Sequence, residues 1–258
     1  NVGTGFRAPY GFSEDLHLCS GSPRVWKSSN LKGERAISYN LSADYYAKKY
    51  QFSINIFRTN LKDKIQFSPA DDEVKKFGYS YQWENVDDAY VQGVELGAKA
   101  NLFRNFNAGI NWTFNQGKFK HERADWSDPN DETVKEFPQR LQYAKDSRNI
   151  SRFPAMTGDI DLDYTPGTWT FSLTSSLQGR MYIDYNSEDN GATSKIKKTN
   201  TFMIFNCRAA KRFGTCTVYA GAKNIFSYIQ DEKHTDDAAF MYAPVYGATW
   251  YVGLSVKL

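Results

Sequence analysis

Between Ala248 and Leu258 the chain alternates: Trp250, Val252, Leu254, Val256 and Leu258 fall on one side, and Tyr251, Gly253, Ser255 and Lys257 on the other. A period of two is the mark of an extended strand with unlike faces. Left at an open edge in water, such a strand would recruit other chains through its unpaired backbone and bare apolar side. In a closed barrel set in a bilayer both edges are paired and hydrocarbon covers the apolar side. This pattern constrains the fold more than any other feature of the sequence.

The same alternation recurs upstream. Trp169, Phe171, Leu173, Leu177 and Met181 alternate with Thr170, Ser172, Thr174, Ser176, Gln178 and Arg180. Phe106, Ala108, Ile110, Trp112 and Phe114 alternate with Asn107, Gly109, Asn111, Thr113 and Asn115. Ile37, Tyr39, Leu41, Ala43 and Tyr45 oppose Ser38, Asn40, Ser42, Asp44 and Tyr46, while Phe52, Ile54 and Ile56 oppose Ser53 and Asn55. Several of these runs outlast the usual soluble strand of about five to six residues.

Composition fits this reading. No run approaches the ~18 apolar residues of a membrane helix, and the mean hydropathy is negative, as expected where every second residue faces away from lipid. Aromatic residues make up 16% of the chain, enough to build interfacial girdles, with Tyr45, Tyr46, Tyr50, Tyr164, Trp169, Phe226 and Tyr228 near strand ends. A formal charge of +3 argues against a nucleic-acid partner, which requires a concentrated basic stripe. The cluster Lys195, Lys197 and Lys198 reads as a solvated loop tip, or as an attraction for an anionic ligand or lipopolysaccharide phosphate. The three cysteines make no disulfide framework; Cys207 and Cys216 fall on the apolar face as small lipid-facing hydrophobes, and Cys19 stands in a loop. The chain begins at Asn1 with no charged-then-apolar leader, so it reads as a fragment.

Alternation predicts about ten strands, near residues 1 to 8, 34 to 47, 50 to 67, 83 to 100, 106 to 120, 153 to 165, 169 to 186, 200 to 212, 214 to 228 and 246 to 258. Short connections at 48 to 49, 101 to 105, 166 to 168 and 212 to 214 alternate with long ones at 9 to 33, 68 to 82, 121 to 152, 187 to 199 and 229 to 245. Tight turns on one side and long loops on the other are the asymmetry of bacterial outer-membrane barrels, whose long loops face outside. Pro166-Gly167 and Gly214 supply hairpin turns at low conformational cost.

Five local sequences then occur in a telling order: Gly5-Phe-Arg-Ala-Pro9, Asn30-Leu-Lys-Gly-Glu34, Gly93-Val-Glu-Leu96, Lys223-Asn-Ile-Phe226, and the terminal strand. In order and spacing the series resembles the C-terminal part of TonB-dependent outer-membrane receptors over nearly the whole chain. Glu14-Asp15-Leu16-His17 resembles the versions found in Bacteroidota. The second box lacks the prolines usual in the family, and Leu258 stands where phenylalanine is usual. The resemblance implies an all-β, transmembrane, antiparallel up-and-down barrel of about 22 strands with a plugged lumen. Residues 1–258 would be its C-terminal portion of about ten strands, without the N-terminal plug and earlier strands.

Candidate functional residues follow. The resemblance to haem receptors, in which a histidine lies between the first two boxes, makes His17 an axial-ligand candidate; the other reading is a stretch shared by such receptors whatever their cargo. Tyr79, Tyr81, Trp83, Trp126, Tyr143, Tyr185 and Tyr242 lie in or beside the long loops, where aromatic rings stack on a metal chelate or corrinoid, or else anchor the interface and pack the loops. Arg7 and Glu95 sit in the family boxes and are expected to point inward, toward each other's wall or the plug. Asp159, Asp161 and Asp163 share one face, but an extended strand holds them about 7 Å apart, which suits a polar lumen better than calcium. Asp128-Pro-Asn-Asp-Glu132 lacks the glycine and spacing of a calcium loop. No Gly-x-Ser-x-Gly motif or nucleophile-base-acid set appears, so no enzyme activity, cofactor or resident metal is expected.

The resemblance implies active uptake, across the outer membrane of a Gram-negative bacterium, of a large scarce solute. An iron-siderophore complex comes first, then haem, cobalamin or a glycan. TonB, acting through the N-terminal part, and outer-membrane lipid and lipopolysaccharide are the implied partners. A passive porin and a soluble β-sandwich are the competing readings.

Overall fold

The computed structural model describes residues 1–9, 25–27, 30–121, 148–182, 198–230 and 242–257, with the side chains of 67–69 left aside. The strands are β1 (Val2–Arg7), β2 (Val25–Lys27), β3 (Glu34–Tyr46), β4 (Tyr50–Pro69), β5 (Tyr81–Phe103), β6 (Phe106–Phe119), β7 (Met156–Tyr164), β8 (Trp169–Gln178), β9 (Phe202–Phe213), β10 (Cys216–Lys223) and β11 (Thr249–Val256). One short helix, α1 (Asp72–Lys75), is capped by the Asp71 carboxylate, which accepts from the Val74 N–H at 2.9 Å.

Ten of these strands form a single antiparallel path in sequence order, β1-β3-β4-β5-β6-β7-β8-β9-β10-β11, each hydrogen bonded to its neighbour on that path. β2 lies off this path and pairs in parallel with the start of β5, Trp26 opposite Gln82. The tight turns use residues suited to the left-handed region: Gly167 and Gly214 both have φ +60°, and Asn105 has φ +66°.

The register sorts every side chain onto one of two faces. Tyr45, Phe52, Ala98, Ile110 and Ile160 follow one another across β3 to β7, and Ala43, Ile54, Leu96 and Trp112 form the next row. These rows carry the large apolar side chains, and no second protein layer covers them among the described residues. Trp169 is 40% exposed, Phe171 42% and Trp250 77%. A β-sandwich would bury this face against another sheet, so the soluble alternative is excluded. The packed apolar cluster lies elsewhere, where Leu31, Ile65, Trp83 and Val25 meet at the long-loop end of β4 and β5.

Two unexpected elements and two strand ends depart clearly from expectation, and the remaining strand ends agree to within three residues. β2 lies inside an expected loop, because a three-residue strand shows no measurable period. α1 occupies another, on the strength of its Asp71 cap rather than any amphipathic pattern. β8 stops at Gln178 instead of 186: Gly179 packs directly on the Met156 backbone, its N–H donating to the Met156 carbonyl at 2.6 Å. β10 stops at Lys223 instead of 228 because Asn224, with φ +52°, turns the chain.

Candidate functional site: a two-faced wall and its loop-side rim

The outer face carries aromatic side chains at its short-turn end. Phe103 and Phe106 stack at 4.7 Å, Tyr164 and Phe171 at 6.4 Å, and Trp169 and Phe171 at 5.6 Å. The Lys211 ammonium stands 4.7 Å from the Trp169 ring centroid and 5.1 Å from that of Phe213. A belt of rings with a snorkelling lysine is how a barrel meets the headgroup layer. Along β4 the outer face stays apolar from Tyr50 to Ile56 and turns charged at Arg58. From Tyr50 to the Arg58 position is about 26 Å of strand at ~3.3 Å per residue, or roughly 20 Å of height at the usual barrel tilt, so the bare apolar stretch on β4 is shorter than that. Cys207 and Cys216 both lie on this face, opposite Leu173 and Val256, and both thiols are free.

The inner face is polar and bonded strand to strand. Asn55 Nδ2 donates to Glu95 Oε2 at 2.9 Å, Asn111 Nδ2 to Asp159 Oδ2 at 2.8 Å, and Ser172 Oγ to Asp163 Oδ1 at 2.5 Å. Ser38 and Thr59 hydroxyls meet at 2.8 Å. Glu95 thus stands on the inner row, as expected from the sequence. Asp159, Asp161 and Asp163 line one inner face as lumen polarity, and among the described residues no group of His, Cys, Asp and Glu side chains could hold a metal ion.

Glycines on this face admit large rings from the next strand. A Cβ on Gly93 would strike Phe57, one on Gly221 would strike Tyr251, and one on Gly253 would strike Tyr219. The Arg208 guanidinium sits 4.5 Å from the Tyr219 ring centroid.

At the long-loop end the wall gathers a rim. Arg7 is paired in register with Glu34, and its guanidinium carbon is 6.0 Å from the Trp83 ring centroid. Glu34 Oε2 accepts from the Ile65 N–H at 3.0 Å. Asn85 fastens the segment before β3: its Oδ1 accepts from Lys32 N–H at 2.7 Å, and its Nδ2 donates to the Lys32 and Asp63 carbonyls. Asp63, with φ +55°, sits in the β4 bulge. The Asn30-to-Glu34 box is therefore a clamp between β3, β4 and β5, a role that needs Glu34 and not the family's prolines.

The sequence-selected aromatics divide accordingly. Tyr79 meets Trp26 edge to face at 5.1 Å, and Tyr81 pairs with Val25. Trp83 is 8% exposed within the Leu31 and Ile65 cluster. Tyr242 packs 6.2 Å from Phe202, which stacks on Tyr228 at 4.7 Å. Arg7, Tyr79, Tyr81 and Trp83 are thus brought together at the β1 to β5 rim, whereas Tyr242 belongs to a separate cluster beside β8 and β9. His17, Trp126, Tyr143 and Tyr185 lie outside the described residues, as do Cys19, the Asp128 loop, Lys195 and Lys197.

Asn224, from the Lys-Asn-Ile-Phe box, ties the second cluster to the wall. Its N–H donates to Asn206 Oδ1 at 3.0 Å, its Nδ2 to the Tyr228 and Tyr246 carbonyls, and its Oδ1 accepts from the Tyr228 N–H at 2.9 Å.

Sequence reasoning missed a set of cations on the outer face just above the apolar band: Arg35, Arg58, Lys62, Lys120 and Arg148. The signal was available, since Arg35, Arg58 and Lys62 continue the same alternating rows past the last apolar residue.

The family model for the TonB dependent receptor-like β-barrel matches residues 1–225. The chain belongs to that family. It is accordingly an outer-membrane protein of a Gram-negative cell, and its relatives are transporters and receptors, not enzymes. It is 25% identical over 250 residues to the vitamin B12 transporter BtuB of Photobacterium profundum, covering 94% of this chain and 34% of that protein. Among solved structures it is similar to the copper transporter OprC, with TM-score 0.66, 21% identity and coverage of 98% of this chain and 37% of that one. It is similar also to the siderophore receptor PirA from Pseudomonas aeruginosa, with TM-score 0.62, 17% identity and coverage of 99% and 38%. The chain therefore spans about a third of the length of these relatives.

Proposed function

We propose that this chain forms the C-terminal part of the barrel of a TonB-dependent transporter that takes up an iron-siderophore complex. The observation that carries this reading is the two-faced wall: a bare apolar outside, a hydrogen-bonded polar inside, and a rim of aromatic and charged side chains at the long-loop end. The open path from β1 to β11 supports the need for further strands, because an unpaired edge is not tolerated in lipid. In this reading an N-terminal part carries the plug and engages TonB, which pulls on the plug to open the lumen. Arg7 and Glu95 face that plug.

Tyr79, Tyr81 and Tyr242, with His17, Trp126, Tyr143 and Tyr185, are the proposed cargo contacts, while Trp83 supports the rim on which they stand. Likeness to a siderophore receptor supports an iron chelate, and likeness to a B12 transporter makes a corrinoid the second reading. Membership of the receptor family supports active uptake over a passive porin.

Growth of a deletion strain on single iron or cobalamin sources tests the cargo. Loss of growth on an iron-siderophore under iron limitation is expected. Normal growth on every siderophore with loss of cobalamin uptake would overturn the iron reading in favour of the corrinoid.

A further inference from the structure

The inner face changes sign along the path from β3 to β11. From β3 to β7 it carries Asp44, Glu95, Asp159, Asp161 and Asp163, with Lys99 among them. On β8 it is neutral, with Thr170, Ser172, Thr174, Ser176 and Gln178. Beyond β8 it carries Arg208, Arg212 and Lys223, and no aspartate or glutamate occurs in β8, β9, β10 or β11.

The two arcs also differ in how their charges are met. Amides and hydroxyls of the wall itself donate to Glu95, Asp159 and Asp163. Among the described residues the side chains of Arg212 and Lys223 have no partner, and Arg208 lies on the Tyr219 ring without a hydrogen bond of its own. The ring holds the guanidinium in place and leaves its N–H donors open. Arg212 stands opposite Thr217 and Arg208 opposite Gly221, with Lys223 next on the same face of β10. At ~3.3 Å per residue the cations follow one another up the strand at steps of about 13 and 7 Å.

Between the cations the surface is smooth. Tyr219 lies over Gly253 and Tyr251 over Gly221, with Ala210 opposite Tyr219. Rings, glycine and alanine give a docked domain few groups to bond, whereas the β3 to β7 arc gives it many. A plug that parts from one side of its barrel parts from the side that holds it by fewer hydrogen bonds. The gap so opened is lined by cations without counter-charges, which concentrates anions within it.

Resting on the iron-chelate transporter reading, we propose that the inner arc of β9 to β11 is the transit track of the cargo and passes an anionic chelate, handed from Lys223 to Arg208 to Arg212. The order runs from the long-loop end of β10 to its tight turn. The track sorts by charge after capture at the rim, so it favours an anionic ferric chelate over an uncharged corrinoid.

Thiol chemistry on the full-length receptor reads this field without any cargo. With Cys19, Cys207 and Cys216 replaced by serine, Ser255→Cys on β11 is compared with Thr113→Cys on β6, each treated with an anionic and a cationic methanethiosulfonate. Ser255→Cys should favour the anionic reagent and Thr113→Cys the cationic one, the two rate ratios differing by about tenfold or more. Adding Arg208→Gln, Arg212→Gln and Lys223→Gln should erase the preference at Ser255→Cys, and adding Lys211→Gln on the outer face should not. Equal ratios at the two positions, or no reaction at Ser255→Cys, would overturn the proposal in favour of plug carboxylates seated on this arc.

Uptake separates the track from the cargo reading. The triple variant, shown to be a folded barrel by heat-modifiable migration, should bind a ferric tris-catecholate at the cell surface as wild type does and import it about tenfold more slowly. Import at the wild-type rate would overturn the track and leave the iron-chelate reading standing. Failure of wild type to import the chelate, with the thiol ratios as expected, would overturn the iron-chelate reading and leave the charged arc standing.

Discussion

Tyr219 of β10 and Tyr251 of β11 meet edge to face at 6.3 Å, and each ring lies over a glycine of the other strand, Tyr219 over Gly253 and Tyr251 over Gly221. The exchange fills the inner face without crowding it. A methyl group at either glycine must displace a ring or a backbone carbonyl, since a Cβ on Gly221 would also meet the Cys207 carbonyl at 2.5 Å. Gly253→Ala should cost about 1–3 kcal/mol, as overpacking does. The check is the denaturant midpoint of the refolded full-length barrel. Tyr219→Ala in the same background should recover part of the loss, whereas additive losses would show that the ring and the methyl do not collide.

Asn224 makes four hydrogen bonds that hold the end of β10 to the residues before β11. Asn224→Ala leaves the part-buried Tyr228 and Tyr246 backbone groups without these bonds, and its φ of +52° suits asparagine better than alanine. We expect a loss of roughly 2–3 kcal/mol, seen as faster proteolytic cleavage within 224–248 while the wall stays intact.

The outer face predicts a depth-dependent response to charge. Ile110 lies mid-wall and Trp169 at the aromatic end. Arginine at Ile110 should cost about 2–4 kcal/mol and at Trp169 no more than about 1 kcal/mol. Equal costs at the two positions would place the apolar band elsewhere.

Both described cysteines are lipid-facing thiols. In a Cys19→Ser background, Cys207 and Cys216 should react with membrane-permeant maleimides and resist a charged, impermeant one. Oxidation should leave them unlinked, because they stand on separate rows of the register.

The wall was legible because its signal is repetitive. Ile37 to Tyr45, Phe52 to Ile56, Phe106 to Phe114 and Trp169 to Leu173 each declare their face by the nature of every second residue, and the two loop lengths give the order. What escaped carries no period. Val25 to Lys27 becomes a strand by finding β5, the end of β8 is set by Gly179 meeting Met156, and the buried state of Trp83 depends on Leu31 and Ile65 arriving from other parts of the chain. The cations at Arg35, Arg58 and Lys62 were visible as letters and invisible as a group, because only the register puts them side by side.

Pairing between sequence neighbours also separates two kinds of change. The described ends of the connections between β6 and β7 and between β8 and β9 are bridged only at their own base, Lys118 to Asn149 and Tyr182 to Lys198, so the register of the strands rests on the tight turns at the other end. β2 is the exception. Because it hydrogen bonds to the start of β5, rewriting the first long connection also loosens the strand that bears the Trp83 rim. Substitutions at Val25 to Lys27 should therefore loosen the start of β5 as well.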